Sequence, residues 1–140
     1  KKNIIKNKCK NILHNKIVSD KSGKMLTMKY NTKNSGASRV VDSKINVSNK
    51  DKNIINNTTD TLDNLLKTEK DISLIKLYIE NYEYPALLGA QNIINKHHPV
   101  IIIELYKSNP YYNEIKKFLY KNNYKTDNIS YAGPPTFIYY

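Results

Sequence analysis

The stretch from Ile72 to Leu105 sets the tightest limit on how this chain can fold. A hydrophobic run, an acidic turn, an amphipathic segment and a second hydrophobic run follow one another there. Ile72, Leu74, Ile75, Leu77 and Ile79 form the first run and Val100-Ile101-Ile102-Ile103 the second. Near-continuous apolar character of this kind marks parallel strands covered on both faces, whereas a half-solvated strand alternates. The interval from Glu80 to Pro99 is long enough for the crossover that parallel pairing requires. A βαβ unit is therefore predicted, with a right-handed crossover. Its helix opens at Pro85, whose missing N–H costs nothing in a first turn, and the chain leaves it at Pro99. Leu87, Ala90, Gln91 and Ile94 share one stripe of that helix, widened by Leu88 and Ile93, and this face should cover the sheet. In open parallel sheets ligands bind beyond the carboxyl ends of the strands, which puts Tyr78, Glu80 and Glu104 where chemistry is expected.

The rest of the chain reads around this unit. Asn11 to Val18 predicts a strand, Asp20-Lys21-Ser22-Gly23 a turn, and Met25 to Tyr30 a strand pairing back on the first as a hairpin arm. Asn31 to Ser38 and Asp42 to Lys52 are polar, and residues 31–52 as a whole are expected to be a flexible loop region. A short strand at Asn53 to Asn57 leads to a helical turn at Thr61 to Leu66, capped by Thr59 or Asp60. A second helix is predicted over Tyr112 to Lys121, burying Ile115, Phe118 and Leu119. The tail from Tyr124 to Tyr140 is expected to form a strand pair with Tyr131 to Pro135 as its loop.

Charge and composition bear on partners. The formal charge is +11, yet Arg39 is the one arginine among 23 basic residues. Lys, Asn and Ile are abundant together, as an A+T-rich coding sequence would produce. With arginine, the better reader of phosphates and bases, so scarce, composition argues against a nucleic-acid-binding domain, which stands as a third alternative. The one cysteine, Cys9, excludes an internal disulfide and fits a reducing, cytoplasmic location. No apolar run approaches the ~20 residues of a membrane span. The basic start from Lys1 to Lys10 lacks the apolar core of a signal peptide. A first residue other than Met fits a segment of a longer chain.

Three carboxylates compete for a role in the βαβ unit. Glu80 can orient an acceptor hydroxyl or take its proton, and can equally cap the following helix. Glu83, one helical turn on, reads as a solvated first-turn acid favoured by the helix dipole. Glu104 ends a buried strand, where an unpaired charge is costly, so it is a site residue or half of an internal pair with Lys76. His97-His98 forms no metal site, because adjacent side chains point apart and no Cys or His cluster completes a ligand set.

Several of these segments together carry a family resemblance. Ile75-Lys76-Leu77-Tyr78-Ile79-Glu80-Asn81-Tyr82-Glu83, then Leu87-Leu88-Gly89-Ala90, then Pro99-Val100-Ile101-Ile102-Ile103-Glu104-Leu105 resemble the second half of an FkbM-type S-adenosylmethionine-dependent methyltransferase domain. That family shows K-x-D-x-E-G-x-E, L-x-G-A and P-x-x-x-x-E in this order. Asn11-Ile12-Leu13-His14-Asn15, Ser19-Asp20-Lys21-Ser22-Gly23 and Thr61-Leu62-Asp63-Asn64-Leu65-Leu66 are similar to its preceding elements, so the resemblance spans roughly Asn11 to Tyr124 and implies a partial domain of this kind over residues 1–140.

The resemblance implies an α/β, Rossmann-like methyltransferase fold. The chain would hold the later strands of a mostly parallel sheet with flanking helices, and the N-terminal cofactor-binding strands would be missing. It implies S-adenosylmethionine as cofactor and O-methylation of a sugar, glycan or other small-molecule hydroxyl. It places Glu80 and Glu104 as catalytic, Asp20 and Tyr78 at the cofactor, and Ser38 and Glu83 on the substrate side. Two positions depart from the signature: Tyr78 stands for its Asp and Asn81 for its Gly. Asn tolerates a left-handed backbone better than most residues, so the turn is expected to survive. No two of Gly23, Gly36, Gly89 and Gly133 lie close enough for the family's Gly-rich cofactor turn. The competing alternative is accordingly an inactive remnant or interaction module with the same fold.

Overall fold

The computed structural model describes residues 11–41 and 53–140. The expectations for Lys1 to Lys10 and for Asp42 to Lys52 lie outside the described residues.

The expected βαβ unit is present. Strand β5 (Leu74–Leu77) pairs in parallel with β6 (Val100–Glu104), Leu74 opposite Val100 and Leu77 opposite Ile103. β7 (Thr136–Tyr139) adds on the other side of β6, antiparallel. Where two strands were expected in the tail, β7 is the only strand described; before it, Lys125 and Tyr140 exchange backbone hydrogen bonds of 2.8 and 3.0 Å.

The sheet is covered on one face, not on both. Ile75, Leu77, Ile101 and Ile103 are buried with Ala86, Leu87, Ile94, Ile115 and Leu119 in one core, so the helices pack on that side. On the opposite face Leu74 is 52% exposed and Lys76 is exposed. Lys76, in the middle of the apolar run, was the mark of this one-sided burial, since a fully covered strand would not carry a charge there.

The crossover is two helices, α2 (Glu83–Leu88) and α3 (Gln91–His97), joined at Gly89 and Ala90. Gly89 is required at this junction for a steric reason. A Cβ on Gly89 would lie 2.0 Å from the Ser19 carbonyl oxygen, so only glycine lets the end of β1 (Ile17–Val18) approach this junction. A carboxylate from elsewhere caps the second helix. Asp63 accepts hydrogen bonds from the N–H groups of Asn92 (3.0 Å) and Ile93 (2.9 Å), while its own N–H donates to the Gly89 carbonyl (2.9 Å). Asp63 lies on the short helix α1 (Leu62–Leu65), whose own cap is Thr61, not Thr59 or Asp60: the Thr61 hydroxyl accepts from the Asn64 N–H at 3.1 Å. Helix α4 (Tyr112–Lys121) buries Ile115, Phe118 and Leu119 as its periodicity predicts.

The first part of the chain builds a second sheet in the order β1-β4-β2-β3, from β2 (Met25–Lys29), β3 (Arg39–Val41) and β4 (Ile54–Asp60). The mostly parallel sheet implied by the resemblance is thus replaced by two small mixed sheets. β4 separates β1 from β2, so the expected hairpin between them does not form: β1 runs parallel to β4, and β2 is antiparallel to β4 and β3. The turn after β1 instead wraps around Thr59, whose hydroxyl donates to the Lys21 carbonyl at 2.6 Å. β3 also crosses the interval expected to be flexible loop. The sheets meet where Val18, Leu62 and Leu66 pack onto the main core and Ile79 touches both clusters.

Candidate functional site

Beyond the carboxyl end of β5 the chain must turn sharply to enter α2, and it does so through two consecutive left-handed residues, Glu80 (φ 56°) and Asn81 (φ 73°). Asn81 meets the expectation set by its place in the signature. Glu80 is the more notable, because a long side chain in this region costs roughly 1–2 kcal/mol. Strained backbone of this sort concentrates where a side chain must be held in place.

This turn borders a cleft of about 400 Å³ between the two sheets. Its lining includes the apolar Ile17, Val18, Val40 and Ile79 and the tyrosines Tyr78 and Tyr82. Lys16, Ser38 and Arg39 supply its polar rim. Glu80 follows directly on the lining pair Tyr78 and Ile79. Its carboxyl is pushed above the ordinary value of 4.5, first by burial and then by the charge of Glu104, while Arg39 pulls it down. Glu104 and Arg39 are therefore each near enough to act on Glu80. The Tyr106 hydroxyl is raised above its ordinary value, by desolvation first and then by the Glu104 charge.

Glu104 does not pair with Lys76. Lys76 is in register with Ile102, two residues short of Glu104, and its ammonium rests 4.3 Å from the centre of the Tyr78 ring. The Tyr78 hydroxyl lies 2.7 Å from Thr136 Oγ1. The Thr136 hydroxyl donates to the Pro134 carbonyl at 3.0 Å, so Tyr78 is the donor between them.

The other expected residues separate. Ser38 lines the cleft and its hydroxyl accepts from the Asn31 N–H at 3.2 Å. Asp20 faces a different hollow beside Lys24, Leu26 and Tyr84, with an ion pair to Lys24 at 3.7 Å, and Tyr82 stands between the two spaces. Asp20 and Tyr78 are thus not brought together. Glu83 is not solvated: it is 1% exposed, its carboxylate accepting from the Ile79 N–H (3.2 Å) and from Asn109 Nδ2 (3.0 Å). It fastens α2 to the end of β5 and to the Asn109 turn, and burial raises its carboxyl above the ordinary 4.5. His98 takes the left-handed position after α3 and stacks on Tyr124 at 4.3 Å.

Lys16, Arg39 and Tyr106 were not singled out in the sequence. Arg39 had one available signal, its singularity among so many lysines. Tyr106, two residues beyond Glu104, follows it on the same side of an extended chain.

The described residues do not fit S-adenosylmethionine as a complete site. A ribose diol and a sulfonium call for acceptors and negative charge, yet the charged groups lining the cleft are Lys16 and Arg39. Nor does a glycine cradle face it: Gly36 is the only glycine in the lining, and Gly23, the glycine with positive φ, is in the turn after β1. No helix among the described residues is long and apolar enough to cross a membrane.

Compared with protein families, the sequence matches the one described as the methyltransferase FkbM domain over residues 4–126. No curated protein and no solved structure matches.

Proposed function

The chain belongs to the methyltransferase FkbM domain family, and from that premise we propose that it carries the acceptor side of an O-methyltransferase, with Glu80 as the base for a sugar, glycan or small-molecule hydroxyl. The observation that carries this reading is the pairing of Glu80 with Glu104 at the carboxyl ends of two parallel strands, beside an apolar cleft. A carboxylate is an inefficient base at neutral pH unless its proton affinity is raised. Burial and the neighbouring negative charge of Glu104 raise that of Glu80. The left-handed backbone holds Glu80 in the turn directly after the lining pair Tyr78 and Ile79, so its contribution would be positioning as well as proton transfer.

S-adenosylmethionine is the donor implied by the family, and no step is drawn through it from these residues. The test is incorporation of labelled methyl from S-adenosylmethionine into hydroxyl acceptors. Glu80→Gln should lower it by roughly 10²–10⁴-fold, the usual range for a lost acid–base group. The wild-type rate should rise with pH through a value above 4.5. A second reading, a binding module without activity, is favoured by Tyr78 in place of the signature Asp and by the missing cradle. It expects a folded protein that shows no heat of S-adenosylmethionine binding in calorimetry and transfers no methyl group.

A further inference from the structure

The cleft's charged rim bears on the kind of acceptor. Arg39 is half-buried on β3, next to Ser38, and both line the same space as the Tyr78 ring, which is 38% exposed. Among the described residues the ion pair is Lys24 with Asp20, and the guanidinium takes part in none. Lys16, also in the lining, donates to Thr58 Oγ1 at 2.7 Å. Arg39 differs from Lys16 in the fork of its guanidinium, which gains most from a planar or tetrahedral anion that can take two of its N–H groups at once. A neutral acceptor would offer it hydroxyl oxygens but no countercharge, and a hydrogen bond between two charged groups is the stronger.

We propose that the acceptor is an anionic sugar, its carboxylate or phosphate held by Arg39 at the rim of the cleft while its ring lies against Tyr78. This rests on the acceptor-side reading above and names the acceptor's chemical class. It also joins recognition to reactivity. Arg39 is the influence that pulls the Glu80 carboxyl down, so an anion that neutralises Arg39 leaves Glu80 a stronger base when the acceptor is in place.

The experiment is a set of titrations, followed by NMR, of the full chain with methyl glucuronide, glucose 6-phosphate and methyl glucoside. At least one anionic sugar should bind about ten-fold or more tightly than the neutral glucoside, a difference of about 1.4 kcal/mol. The stronger of the two identifies carboxylate or phosphate as the group taken. Arg39→Gln should abolish the preference and Arg39→Lys should retain part of it, with thermal melting confirming that both variants fold. Lys96→Gln on α3, outside the cleft, makes the same charge change and should leave the preference intact. Equal binding of all three sugars, no binding of any, or equal losses in Arg39→Gln and Lys96→Gln would each overturn the proposal, the last assigning the effect to overall charge. Arg39-dependent anion binding without methyl transfer would leave this inference standing and remove the catalytic reading; methyl transfer to the neutral glucoside would do the reverse.

Discussion

Tyr78 and Glu83 show how far single positions depart from their surroundings in sequence. Tyr78 stands where the family signature has Asp, and its hydroxyl reaches Thr136 across the edge of the cleft. Tyr78→Phe should lower stability by about 0.5–1.5 kcal/mol, the net worth of one hydrogen bond, measured by urea denaturation. Tyr78→Asp should cost more, because it removes the ring beneath Lys76 and adds a charge near Glu80 and Glu104. If it raised methyl transfer instead, the missing Asp would be shown to be a lost catalytic group and not a structural replacement. Glu83 gives a dependence on pH. Its folded-state carboxyl is raised by burial, so its contribution to stability is fully present below the ordinary value of 4.5 and is lost as pH rises through the folded value. Glu83→Gln, the neutral isostere, should therefore gain on wild type as pH is raised from 4 to 7, read as the difference in Tm. A difference that stays constant across that range would show that Glu83 does not titrate differently on folding.

Elements were legible where local pattern and tertiary packing agree. The amphipathic period of Tyr112 to Lys121 produces α4 with the expected buried face, and the β5–crossover–β6 order follows from two apolar runs spaced for a helix. Legibility failed where the deciding contact lies far away in sequence. The crossover reads as one helix because nothing near Gly89 announces the Ser19 carbonyl against it, and Asp63 reads as a local polar residue although it caps α3. The cleft was half visible: Tyr78 and Ile79 of its lining, with Glu80 directly after them, come from one motif, while Arg39 arrives on β3 from a stretch whose composition suggests only loop. Gly89→Ala tests the junction. Its methyl group would strike backbone and not a yielding side chain, so the cost should reach about 1–3 kcal/mol or more, with the Tm falling while the helical signal of α4 persists until the melt.

For the molecule as a whole, the half-open sheet has a colloidal meaning. The face that carries Leu74 also presents Val100, Ile102 and Ile138 half-buried, with Tyr140 56% exposed at its edge. Apolar surface of this kind attracts its like whenever two molecules come close. A formal charge of +11 opposes that approach, but its reach is only about 10 Å in 0.1 M salt and shrinks to about 3 Å at 1 M. Molecules should therefore repel one another in dilute buffer and attract in strong salt, so that the second virial coefficient from light scattering turns from positive to negative as sodium chloride is raised. Leu74→Lys should move that crossing to higher salt. On this account the abundant lysines act as a stabiliser of the dispersion, keeping an adhesive surface out of reach of its copies.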